Sequence, residues 1–124
     1  MPGVEGNATE SPQEVKTLKI EILYFDGCPN HLPAVERVRE VLQEMNLPDA
    51  PIEVRITDPA MAKPLRFLGS PTVLINGLDI EPGARDSDQF GFGCRTYFSE
   101  GRRSGLPTKE LVLSAIRDAL NTTP

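Results

Sequence analysis

The chain of 124 residues has no tryptophan, one histidine and two cysteines, Cys28 and Cys94. Two cysteines in a reducing compartment are reactive thiols or soft-metal ligands rather than a permanent staple. No apolar run approaches the roughly 20 residues of a membrane span. The N-terminus lacks the charged, apolar, small-residue order of a signal peptide. Together these absences set the expectation of a cytoplasmic protein with no membrane partner. There is no excess of basic residues either. The net charge is −5 and the basic residues are scattered, which argues against nucleic acid as a partner. No phosphate-binding glycine loop, zinc tetrad or serine triad is visible, so neither a cofactor nor a resident metal site is expected.

What is present suits one domain over residues 17–124 with an ordinary core. Residues 1–16 carry Pro, Gly, Asn, Ser and Glu and few large apolar groups. They bury too little to offset ordering entropy, which predicts a mobile tail. Residues 18–25 alternate Leu18, Ile20, Ile22 and Tyr24 with Lys19, Glu21, Leu23 and Phe25. The second set turns apolar toward its end, as in a central strand becoming buried on both faces. Val35, Val38, Val41, Leu42 and Met45 then form a helical stripe ending near Asn46. Its start is either Cys28 as cap with Pro29 at the first position, or Asn30 as cap with Pro33 in the first turn.

Ile52, Val54 and Ile56 alternate with Glu53, Arg55 and Thr57, predicting a strand at or near an edge. Asp58-Pro59 opens a short helix, for which Gly69 suits the C-terminal end. Residues 70–75 read as a third strand. Asn76-Gly77 signals a two-residue hairpin, and residues 78–81 return as the fourth strand. Residues 83–93 read as a polar, glycine-rich loop, residues 94–98 as a short strand or packed loop, and residues 99–105 as a basic turn. Leu111, Val112, Ala115, Ile116, Ala119 and Leu120 give a last helix from about 107 to 120. A parallel pair joined by a helix, then an antiparallel hairpin and a covering helix, implies an α/β sandwich around a mixed sheet.

The chemistry centres on Cys28-Pro29-Asn30-His31. A thiol placed where a strand ends and a helix begins meets the first-turn N–H groups and the helix dipole, which favour the thiolate. His31 lies one turn along. As a cation it stabilises the thiolate, as a neutral imidazole it is a base or ligand, and otherwise it is a solvent-facing residue. Asp26 either tunes the thiol or satisfies turn N–H groups. Asp86 and Asp88 read as solvated loop carboxylates.

The Cys-Pro-x-x turn after the first core strand, with Ser70-Pro71-Thr72 opening the third strand before Asn76-Gly77, resembles the thioredoxin superfamily. The likeness spans roughly residues 19–120. It is closest to small members with a later Cys-Arg-Thr-Tyr stretch, here Cys94 to Tyr97, some of which carry alkylmercury-lyase-type labels. The resemblance implies a three-layer thioredoxin-like sandwich with a mixed four-stranded sheet and an extra loop segment after the terminal hairpin. It implies that Pro71 is a cis-proline facing the active thiol, and that Pro29, Ser70 and Thr72 help bind substrate. Cys28-Pro29-Asn30-His31 departs from the family's Cys-x-x-Cys, so the resolving thiol is missing from its usual place.

Topology brings the chain after Pro82 back to the Cys28 end, so residues 83–98 are expected to cover the thiol. Cys94 then becomes a resolving thiol or second soft-metal ligand; otherwise it is an inert residue packed near Phe92 and Tyr97. The expected activity is thiol–disulfide exchange on a protein or small-molecule thiol or disulfide. The alternative is binding of a soft ion, Hg(II), Cu(I) or Zn(II), or the handling of organomercurials, by Cys28 and Cys94.

Overall fold

The computed structural model describes residues 18–121; the tail expected over 1–16 lies outside them. Four strands form one mixed sheet: β1 (Ile20–Tyr24), β2 (Ile52–Arg55), β3 (Thr72–Ile75) and β4 (Leu78–Asp79), in the order β2-β1-β3-β4. β1 pairs parallel with β2 and antiparallel with β3, and β3 pairs antiparallel with β4. The parallel pair is joined by helix α1 (His31–Glu44), and α2 (Ala62–Leu65) and α3 (Lys109–Asn121) complete the helices.

The alternation in β1 and β3 assigns each side chain to a face. Ile20, Ile22, Val73 and Ile75 pack with Val35, Val38 and Val41 of α1 and Val112 and Ile116 of α3. Leu23 and Leu74 face the other way, onto Ile56, Ala62 of α2 and Phe67. The sheet thus lies between two apolar layers. β1 is buried on both faces at its end, as its sequence requires, while Ile52 on edge strand β2 stays half in solvent. Among the described residues no helix is long and apolar enough to cross a membrane.

Helix α1 resolves the two starts the sequence allows. Asn30 is the cap, and its carbonyl accepts from Ala34 N at 3.0 Å. Pro33 therefore falls in the first turn, where its missing N–H costs nothing. At the far end Asn46 is left-handed (φ 58°), with Leu47 N bonded to Leu42 O and Asn46 N to Gln43 O. This double closure stops the helix where the apolar stripe ends. The hairpin at Asn76-Gly77 has φ of 53° and 83°, the pair a tight primed turn demands.

Three expectations are corrected. Helix α2 ends on Arg66, not Gly69. Arg66 takes the left-handed conformation (φ 59°), closing the helix with Arg66 N bonded to Lys63 O and Phe67 N to Ala62 O; its guanidinium reaches Arg85 O at 2.7 Å and lies over the Phe90 ring. The basic turn at 99–105 is part of a second hairpin, β5 (Tyr97–Ser99) with β6 (Arg102–Ser104). Glu100 and Gly101 turn it with φ of 55° and 77°. The loop at 83–93 is polar in composition but not in packing. Phe92 sits 5.0 Å from the Phe25 ring centre, and Phe90 joins the second apolar layer.

Candidate functional site

The segment after β4 forms a strap across the end of the sheet where β1 finishes. Phe90 and Phe92 lie on one face with Phe25 and Phe67. Tyr97 is buried on the opposite face with α1 and α3. Between them the chain crosses at residues 93–95. Ser70 N donates to Gly93 O at 2.8 Å, and Arg95 N donates to Ser70 O at 3.0 Å. Ser70 and Cys94 form a parallel bridge. The crossing is close enough to require Gly69, where an added Cβ would stand 2.9 Å from Gly93 O and 3.0 Å from Arg95 N. The φ of +119° at Gly69 independently favours glycine.

Two side chains anchor the strap. Arg95, 5% exposed, forms a two-pronged pair with buried Asp79, both contacts 2.9 Å, and reaches Glu81 at 3.1 Å. Its guanidinium also stacks over the Tyr97 ring, 4.2 Å from the centre. Burial acts to lower the Arg95 pKa, but the hydrogen bonds and charge of Asp79 outweigh it and hold it above its ordinary value. The Tyr97 hydroxyl donates to Pro71 O at 2.7 Å and accepts from Val73 N at 3.2 Å. Burial raises the phenol well above its usual range, against the opposing charge of Arg95.

Cys28 follows β1 through a turn opened by Gly27 (φ 86°). Its N–H donates to Phe25 O and its carbonyl accepts from His31 N. The thiol therefore sits two residues before the Asn30 cap, outside the helix, and is half-buried. Pro29 is exposed beside it. Ser70 Oγ accepts from Phe25 N at 3.3 Å. The Cys28 turn and the Cys94 strap thus both hang on Ser70. The Ser70–Pro71 peptide is cis, the isomer implied at that position.

Some of the expected site residues are brought together and others are diverted. Cys28, Ser70, Pro71 and Cys94 gather at one end of the sheet. Ser70, Pro71 and Thr72 are buried there, and Thr72 Oγ1 is engaged by Gly69 O and Leu68 N. The strap covers the surface on which they were expected to meet a substrate backbone. His31 turns away from the thiol. Its ring stacks on Tyr24, centroids 3.6 Å apart and planes at 5°, and Nε2 lies 2.7 Å from Glu53 Oε1. Among the described residues no hydrogen bond joins its ring to Cys28. Asp26 pairs with Arg55 on β2.

Cys94 is free and exposed, at the edge of an open cavity of about 580 Å³ that Arg103, Phe98 and Glu81 also line. A smaller cavity of about 270 Å³ opens on the other side, between Phe25, Asp26, Arg55 and Phe92. Sequence reasoning missed Arg95 and Tyr97 as anchors. The signal was a charged Arg95 beside Tyr97 in the short segment 94–98, matched to the carboxylate of Asp79 in the returning strand. Compared with protein-family models, curated proteins and solved structures, the chain matches none.

Proposed function

We propose that this is a thioredoxin-like thiol protein of the reducing cytoplasm that exchanges with small disulfides through Cys28 and Cys94. The observation that carries the reading is Ser70. Its hydroxyl holds the end of β1, from which the Cys28 turn departs, and its backbone holds both neighbours of Cys94. Two free thiols on segments tied to one residue suit a two-step exchange.

The Cys28 thiolate attacks one sulfur of a disulfide. A mixed disulfide forms and the other half leaves as a thiolate. The Cys94 thiolate then attacks the Cys28 sulfur, expelling the second half and closing a Cys28–Cys94 bond. The substrate gains two electrons and the protein loses two. A small-molecule thiol returns the protein to its dithiol form by the reverse exchange. With both backbone groups of Ser70 engaged and Pro71 and Thr72 buried, the arrangement favours a small substrate over an extended polypeptide. His31 acts here as a brace between α1, Tyr24 and Glu53.

The same thiols support a second reading. Among the described residues no group of three or more His, Cys, Asp or Glu is poised to hold a metal ion. Two thiolates alone suit a soft ion of low coordination number, Hg(II) or Cu(I).

Exposure to oxidised glutathione followed by peptide mapping tests the exchange. An intramolecular Cys28–Cys94 disulfide is expected in the parent, with stable glutathione adducts in Cys28→Ser and Cys94→Ser. Its closure needs the two Cα atoms within about 7 Å. Persistent mixed disulfides on the parent, with no internal bond, would overturn the two-thiol scheme. One-to-one mercury binding that requires both thiols, without any disulfide reduction, would install the metal reading instead.

A further inference from the structure

A third cavity, of about 470 Å³, opens beside the β5–β6 hairpin and away from the strap's Ser70 crossing. Its wall carries two guanidinium groups, Arg37 from α1 and Arg102 from β6, against a single carboxylate, Glu100; Arg103, opposite Phe98 in the hairpin, turns its guanidinium over the Phe98 ring and donates to Thr96 Oγ1 at 3.4 Å. Ser104 and Thr108 add two hydroxyls. In a chain of net charge −5, this is a local inversion of sign. Two other arginines are spent on carboxylates: Arg55 on Asp26, and Arg95 on Asp79 and Glu81. Among the described residues, neither Arg37 nor Arg102 has a carboxylate partner within ion-pair distance.

The wall is built rather than draped. Arg37 Nη1 donates to Pro107 O at 2.9 Å across 70 positions of sequence, fixing α1 to the segment that leads into α3. This uses one of its five N–H groups. Gly105 fits against the Asn30 side chain so closely that a Cβ there would stand 2.3 Å from Nδ2. The hairpin is thus held at the start of α1 on one side and at the start of α3 on the other. Thr108 Oγ1 accepts from Leu111 N at 3.1 Å, capping α3, a 13-residue helix whose positive end adds to the potential at the cavity.

We infer that this cavity binds a small phosphate-bearing anion. The Arg37 and Arg102 guanidinium forks match phosphate oxygens in pairs and stay charged at every physiological pH. Set against Glu100, they leave a net positive wall, which suits a phosphate monoester dianion or a diphosphate. The volume lies within the range of small-molecule sites. The negative charge of the whole chain works against a long polyanion such as nucleic acid, so the ligand is a small molecule.

Titration with inorganic pyrophosphate, followed by calorimetry and by amide shifts at Ser104 and Thr108, tests the site. Saturable one-to-one binding is expected, weakening as salt is raised. Arg102→Gln should weaken it about tenfold or more, since hydrogen bonds to a charged group are lost. Arg102→Lys should keep part of the affinity. Arg117→Gln, on an exposed part of α3, should leave it unchanged. Absence of saturable binding at millimolar pyrophosphate would overturn the proposal, as would an equal loss in Arg117→Gln. Sulfate at matched ionic strength is the control, and binding as tight as that of pyrophosphate would reduce the site to an adventitious ion only.

Discussion

Replacing Asp79 by Ala would strip the strap of its main ionic anchor while leaving the Arg95 charge in place. The two side chains are 4% and 5% exposed, so the pair lies in the interior. Removing one partner of such a pair costs about 3–5 kcal/mol, because the remaining charge has neither water nor its counter-ion. Glu81 still reaches Arg95 Nη2 at 3.1 Å, which places the loss near the lower end, about 3 kcal/mol. Asp79 Oδ1 also accepts from Glu81 N, so that amide loses a partner too. Arg95→Met should cost a similar amount, by leaving Asp79 buried and unpaired. The double variant removes both charges and should lie well below the sum of the singles, with a coupling of about 2–3 kcal/mol. Urea unfolding followed by circular dichroism measures all four proteins, provided the slope with denaturant is unchanged. A cost below about 1 kcal/mol for Asp79→Ala, or an additive double variant, would refute the view that a buried ion pair holds the strap.

Three further predictions concern the same framework. The Tyr97 phenol is raised by burial, so the stability it contributes is complete below the ordinary tyrosine pKa and is lost as pH climbs above about 10. The loss approaches 1.4 kcal/mol per pH unit, and urea midpoints in alkaline buffer should fall less steeply in Tyr97→Phe. Gly69→Ala forces a Cβ against two backbone atoms at an unfavourable φ and should cost about 2 kcal/mol or more; faster alkylation of Cys94 would report the displaced strap, and an unchanged unfolding midpoint would deny the close approach. Asn46→Val should lose about 1–2 kcal/mol at the left-handed position that closes α1, whereas Asn46→Gly should be near neutral by the same unfolding assay.

The fold was legible where periodicity and turn chemistry agree. Ile20, Ile22 and Leu23 alternate as a central strand must, and Val35, Val38 and Val41 recur at helical spacing. Asn76-Gly77 states its own turn. The second hairpin was harder, because Glu100-Gly101 lacks the Asn or Asp that usually announces a primed turn and β6 reads as a run of charge. Arg66 defeats a rule that assigns left-handed positions to glycine, because the chain must close α2 there and turn the buried Phe67 inward.

At the site, topology indicated that the segment after Pro82 returns to the Cys28 end, and Phe92 and Cys94 are found there. What could not be read was direction. Spacing puts His31 on a face with Cys28, but only tertiary packing shows the imidazole turned to Tyr24 and Glu53. Nor does composition reveal that an arginine in a polar loop is nearly solvent-free. Its partners Asp79 and Glu81 alternate with Leu78 and Ile80 on the returning segment, a pattern that reads as a wet face.

The hydroxyl of Tyr97 gives the strap an influence beyond the site it covers. Val73 lies in the middle of the sheet, yet its amide hydrogen is bonded to that phenol rather than to a neighbouring strand. The Ser70 amide is likewise held by Gly93. Deuterium uptake at these two positions is therefore a gauge of the strap and not of the sheet. A ligand or thiol adduct that loosens residues 93–97 should speed exchange at Ser70 and Val73 together, while Ile22 and Leu74, secured by the strand ladder, keep their protection. Two amides in the interior would then report, site by site, an event at the surface.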